Sequence, residues 1–167
     1  LETAPVDTEM VQAVRARARV LAKDLYSQVD LPHFPRAAMD GYAVRARDTF
    51  GASASQPAYL KLVGTVEMGK EVTRSLGKGE AMRISTGGML PPDSDGVVMV
   101  EYAEEVGDHM VEIHRGVSPW QNTIQIGDDI KRGEVVFRHG RRLRAHDLGA
   151  LTGIGTSSLP VYKKPRV

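Results

Sequence analysis

The sequence predicts a mostly β, irregular α+β fold, and three observations carry that expectation. Short runs with alternating or β-branched residues recur through the middle of the chain, spacers rich in Gly, Pro and Asp separate them, and helical periodicity is confined to two segments near the ends. Such spacing builds a compact barrel or bent-sheet unit rather than βαβ repeats.

The first element is expected to be a helix. Met10, Val14, Ala18, Leu21, Ala22 and Leu25 recur at helical spacing behind the cap candidates Asp7, Thr8 and Glu9. The opposite face carries Arg15, Arg17, Arg19 and Lys23, a run read as solvated and assigned no chemistry. A strand over 42–44 follows, and then a small-residue connector over 49–57 marks a domain boundary. Strands are predicted over 59–66, 81–85, 96–100, 110–114 and 135–137, with turns at 77–80, 91–96 and 138–141. A short helix over 146–153 has Asp147 as a cap candidate and Gly153 and Gly155 to stop it. A strand over 159–162 comes last. The chain opens on Leu1 instead of Met, and Pro165, Arg166 and Val167 read as the start of another strand, so it is expected to be cut from something longer.

Composition narrows the function classes. With 22 basic against 21 acidic residues there is no general pull toward nucleic acid or anionic membrane. Aromatic content of 5% gives little support to base stacking, and the single tryptophan, Trp120, is expected to be a packing anchor. No apolar run approaches the ~18 to 20 residues of a bilayer span and no signal-like segment opens the chain, so a cytoplasmic protein is expected. The absence of cysteine removes disulfides, thiolate catalysis and thiolate metal sites. His33, His109, His114, His139 and His146 lack metal-ligand spacing, and no Gly-x-Ser-x-Gly elbow is present.

Three segments carry candidate chemistry. In His33-Phe34-Pro35-Arg36-Ala37-Ala38-Met39-Asp40-Gly41-Tyr42-Ala43-Val44, a carboxylate precedes a glycine that permits a tight turn. Asp40 can there ligate Mg²⁺ or orient a water, or it can close a turn before the strand. In Met82-Arg83-Ile84-Ser85-Thr86-Gly87-Gly88-Met89-Leu90-Pro91, a strand runs into hydroxyls and glycines. Thr86, Gly87 and Gly88 form either an oxyanion-binding nest or an ordinary hairpin end, and the missing Gly-Lys-Ser/Thr ending excludes a P-loop. In Asn122-Thr123-Ile124-Gln125-Ile126-Gly127-Asp128-Asp129-Ile130-Lys131-Arg132-Gly133-Glu134, paired acids beside a glycine turn bind a divalent cation or face water.

Together these segments resemble the signatures of the molybdopterin molybdenumtransferase family, known as MoeA and as the gephyrin E-domain. The first is close to Pro-x-Phe-x-x-Ser-Ala-Met-Asp-Gly-Tyr-Ala-Val. The second, continued through Asp93, Asp95, Gly96 and Glu101, is close to Arg-Ile-x-Thr-Gly-Ala-x-x-Pro-x-Gly-x-Asp-x-Val-Val-x-x-Glu, and the third to Asn-x-x-x-x-Gly-Glu-Asp-Ile-x-x-Gly. The likeness runs from about Arg19 to Val167 and stops before the family's molybdopterin-binding domain and carboxy-terminal β-barrel.

The resemblance implies bent or bifurcated sheets, with residues 1–45 and 119–167 forming a discontinuous amino-terminal and linker domain and 46–118 an inserted β subdomain. It implies part of a cytoplasmic enzyme that inserts molybdate into adenylylated molybdopterin with Mg²⁺ and releases AMP, the fragment alone being inactive. Asp40, Thr86 and Asp129 would be catalytic, Asp40 and Asp129 metal-binding, and Thr86, Gly87 and Gly88 in contact with the pterin substrate. The partners implied are a second copy in a homodimer and the molybdopterin-binding domain of that copy, with neither nucleic acid nor membrane. Three departures stand out: Ala37 replaces the usual Ser, Gly88 and Met89 replace the usual Ala-Pro, and residues 124–126 lack the basic side chains common there. The first and last of these favour, as the alternative, a dimerisation or scaffold module of a divergent paralogue.

Overall fold

The computed structural model describes residues 7–164. In chain order the strands are β1 (Thr8–Gln12), β2 (Leu25–Tyr26), β3 (Arg36–Ala37), β4 (Gly41–Val44), β5 (Ala58–Thr65), β6 (Glu80–Ile84), β7 (Gly96–Met99), β8 (Ala103–Val106), β9 (Met110–Ile113), β10 (Thr123–Ile124), β11 (Val135–Phe137) and β12 (Ser158–Tyr162). One α-helix, α1 (Ala145–Gly153), lies among the described residues. The mostly β, irregular α+β class is therefore the one observed. No helix among the described residues is long and apolar enough to cross a membrane. The strand start expected at 165–167 lies outside the described residues.

The chain forms two units, residues 7–31 with 127–164, and Pro32–Ile126. The insertion is thus longer at both ends than the 46–118 expected. At the amino end β4 sits between β6 and β7 inside the inserted unit's sheet and takes the Asp40 segment with it, and at the carboxyl end β10 pairs with β3.

In the discontinuous unit, β1 pairs antiparallel with β12 over five residues, and β2 pairs with β11. The helix expected over the first apolar repeat does not form. Thr8–Gln12 is a strand, only Ala13–Arg15 makes a 3₁₀ turn, and Ala18 takes φ 63°, a left-handed conformation no helix interior accepts. Met10 and Val14 of the helical pattern are 63% and 73% exposed. Ala13 and Ala16, outside that pattern, are buried together with its Leu21 and Leu25, against Leu143, Leu151, Ile154, Leu159 and Val161. Partners distant in sequence supply the backbone bonds here, with Leu21 donating to Arg141 O at 3.0 Å and Ala22 to Pro160 O at 3.0 Å. Tertiary pairing overrides local periodicity.

α1 forms where the sequence places it. Asp147, 2% exposed, accepts from the Arg144 N–H at 2.8 Å and from Arg141 Nη2 at 2.7 Å, and Arg141 also covers the Phe137 ring at 4.7 Å. The Arg141 bond holds the Asp147 carboxyl below the usual range against the opposing effect of burial, and the Arg144 N–H adds to it. Because the folded-state pKa is depressed, this stabilisation is present above the unfolded carboxylate pKa and is lost as pH falls through the folded one. Asp147→Asn is expected to cost about 2 kcal/mol at neutral pH, the range of hydrogen bonds to charged groups. Hydrogen exchange of the α1 amides measures it, and the gap to the native chain should narrow below pH 3.8, the ordinary carboxylate value.

In the inserted unit, the six-stranded sheet has the order β7-β4-β6-β5-β9-β8, antiparallel except between β5 and β6, and β3 pairs with β10 separately. Every residue of β4 is buried. Tyr42 and Val44 pack with Leu60, Val98, Val111 and Ile113, while Ala43 packs on the opposite face with Met82, Ile84, Leu90 and Val97. A strand covered on both sides reads as a continuous, not alternating, apolar run, and Gly41-Tyr42-Ala43-Val44 is one. Trp120, expected as a packing anchor, is 46% exposed; its backbone takes φ 64° and its N–H donates to Asp95 O, which turns the indole outward from the core.

Candidate functional site

The chain enters β4 through Asp40 and leaves β6 through Ser85-Thr86-Gly87-Gly88, and the pairing of Gly41 with Ile84 brings these ends side by side. The Gly88 N–H closes the turn on Ser85 O at 2.9 Å, with Gly87 at φ 84° in the position where a type II turn calls for glycine. Asp40 Oδ1 accepts from the Thr86 N–H at 2.6 Å and from Thr86 Oγ1 at 2.9 Å. The Thr86 N–H, and after it the Thr86 hydroxyl, holds the Asp40 carboxyl below the usual range, so the exposed carboxylate is charged at neutral pH. Asp40 Oδ2 has no partner among the described residues.

Gly41 has a different role from the tight turn expected of it. A Cβ there would lie 1.9 Å from the Val98 carbonyl oxygen, so glycine lets β7 approach β4. The nest reading of Thr86, Gly87 and Gly88 also changes. Their amides are committed within the chain: Thr86 to Asp40, Gly87 to Ala37 O at 2.8 Å, and Gly88 to Ser85 O. The turn orients a carboxylate instead of presenting free N–H donors.

Ala37, where a Ser was expected, is fully buried in β3 and its N–H donates to Gly88 O at 2.9 Å. A Cβ on Gly88 would press on Ile84 Cγ1 at 2.8 Å and Ser85 O at 2.9 Å, which accounts for glycine in place of alanine there. Asn122 is structural: its side-chain amide donates to Val97 O at 2.9 Å and its carbonyl accepts from the Ala38 N–H at 2.9 Å.

Asp40 and Thr86 are thus brought together within the inserted unit, whereas Asp129 belongs to the discontinuous one. Asp129 is exposed, and its N–H donates to Leu31 O at 2.9 Å. Among the described residues no cluster of three or more His, Asp or Glu side chains could hold a metal ion.

A second group beside Asp40 escaped the sequence reading. Tyr42, 2% exposed, donates its hydroxyl to Glu105 Oε1 at 2.8 Å, and Arg83 Nη2 reaches the same oxygen at 2.6 Å. Burial pushes the Tyr42 hydroxyl above the usual phenol range, partly opposed by the Arg83 bond. Tyr42 and Arg83 are cross-strand partners and line a cavity of about 280 Å³ with Asp40, Gly41 and Ser85. The signal was the register itself, which alternation within 82–84 cannot supply without knowing the partner strand.

Residues 1–155 match the family model described as the MoeA N-terminal region, domains I and II. The chain is 42% identical over 152 residues to a molybdopterin biosynthesis protein of Methanocaldococcus jannaschii, covering 91% of this chain and 36% of that one. It is 33% identical over 164 residues to the molybdopterin molybdenumtransferase of Bacillus subtilis, covering 96% and 38%. The crystal structure of a molybdopterin biosynthesis MoeA protein from Pyrococcus horikoshii superposes with a TM-score of 0.89 at 40% identity, covering 95% of this chain and 42% of that one. The chain therefore spans less than half the length of each of these relatives.

Proposed function

Because the chain belongs to the MoeA N-terminal region family, we propose that it is the amino-terminal part of a molybdopterin molybdenumtransferase, inserting molybdate into adenylylated molybdopterin and releasing AMP. The observation that carries this reading is the Asp40 carboxylate, held ionised by both donors of Thr86 with Oδ2 left for a ligand. One such oxygen suits Mg²⁺, which keeps several waters and takes one or two carboxylates plus substrate phosphates. Asp40 would hold that ion or its water, Thr86 fixes Asp40 and faces the phosphate, and Asp129, in the other unit, is assigned separately to metal or water handling. When bound, Mg²⁺ would offset phosphate charge during cleavage of the phosphoanhydride. The site is completed in a cytoplasmic homodimer by the molybdopterin-binding domain of the second copy, so the chain alone does not turn over.

A scaffold or dimerisation role is the second reading, favoured by Ala37 and by residues 124–126, which offer no cation to an anionic substrate. Supplying a full-length protein that carries this chain with adenylylated molybdopterin, molybdate and Mg²⁺ tests the first. AMP release matched by molybdenum incorporation is expected; a folded dimer that releases no AMP overturns it in favour of the scaffold.

A further inference from the structure

The basic run assigned no chemistry in the sequence is taken apart by the fold. Without a helix its arginines separate: Arg19 pairs with Glu9 and with Tyr162 O, whereas Arg17 lines a cavity of about 570 Å³ in the discontinuous unit together with Arg141, Arg142 and Arg144. Ala18, at φ 63°, bends the chain at this wall, and its N–H donates to Leu143 O at 2.9 Å, tying the two arginine-bearing segments together.

We propose that this cavity binds a small anion carrying two linked phosphate groups, at a site distinct from Asp40. No carboxylate lines it. Arg141 is neutralised by Asp147 beneath, but Arg17, Arg142 and Arg144 are exposed and have no ion pair or side-chain hydrogen bond among the described residues. Guanidinium groups gathered around one concavity repel one another, and a multivalent anion relieves that repulsion. The planar guanidinium fork matches phosphate oxygens in pairs, and the volume lies within the range of small-molecule sites. A diphosphate is the smallest phosphate whose charge approaches that of three guanidinium groups. The proposal is independent of the transferase reading.

Isothermal titration of inorganic pyrophosphate into the chain near physiological salt, about 0.15 M, tests it. Saturable one-to-one binding is expected, with inorganic phosphate and sulfate weaker by about tenfold or more. Arg142→Ala combined with Arg144→Ala should weaken pyrophosphate about tenfold or more, and Arg17→Glu, on the other segment, should do the same. Asp40→Asn should leave binding unchanged. Absence of saturable binding, sulfate binding as tightly as pyrophosphate, or undiminished affinity in folded Arg17→Glu would each overturn the proposal.

Discussion

Gly41→Ala is expected to destabilise the inserted unit by about 3 kcal/mol or more, the upper range for overpacking and enough to unfold a marginal domain. The added methyl meets backbone, not a side chain that can move: the Val98 carbonyl oxygen at 1.9 Å, its carbon at 2.9 Å and Met99 Cα at 3.0 Å. Relief requires β7 to part from β4, the strand that carries sheet pairing on both edges. Trp120 lies in the same unit, so its fluorescence during urea unfolding reports the loss. Gly51→Ala is the matched control. Its φ of 80° is also unfavourable to alanine, but its Cβ meets nothing within 4 Å, and it should cost only about 1 to 2 kcal/mol. Equal costs at the two positions would show that close approach of the strands is not what selects glycine at 41.

Asp40→Asn in a full-length protein carrying this chain is expected to lower molybdenum insertion about a hundredfold or more, the scale of removing one preorganised electrostatic group. Asparagine keeps an oxygen to accept from the Thr86 N–H and hydroxyl, so the turn survives. What disappears is the charge and the second acceptor, the two properties a cation or an oriented water uses. Sedimentation should match that of the unsubstituted full-length protein. Insertion at the native rate would transfer the acids of this region to a purely structural role. Thr86→Val should be milder, about fivefold to tenfold, because the backbone N–H to Asp40 remains and one hydrogen bond of about 1 kcal/mol is lost.

Most strands of the inserted unit were legible because alternation and turn residues are local signals. Its strands over 96–99 and 110–113, and the strand over 135–137 in the discontinuous unit, begin where the sequence places them. The two-residue strands β2, β3 and β10 were not legible, since they exist only through partners far away in the chain. The largest error, a helix over the first apolar repeat, has the same origin: Met10, Val14 and Ala18 fit a 3.6-residue period, but β12 claims residues 8–12. The nearness of Asp40 and Thr86 followed from their motifs and not from periodicity. The Tyr42, Arg83 and Glu105 group required the sheet register.

The antiparallel closure of β1 on β12 has a consequence for biosynthesis. A ribosome extends the chain from its amino end at roughly 5 to 20 residues per second, so β1 emerges roughly 8 to 30 seconds before its partner exists. Once Ile126 has been added, the inserted unit, whose strands are all contained within Pro32–Ile126, has everything it needs to fold, while Leu21 and Leu25 still wait for Leu143, Leu151 and Leu159. The middle of the nascent chain can thus acquire its structure before the two ends close on each other.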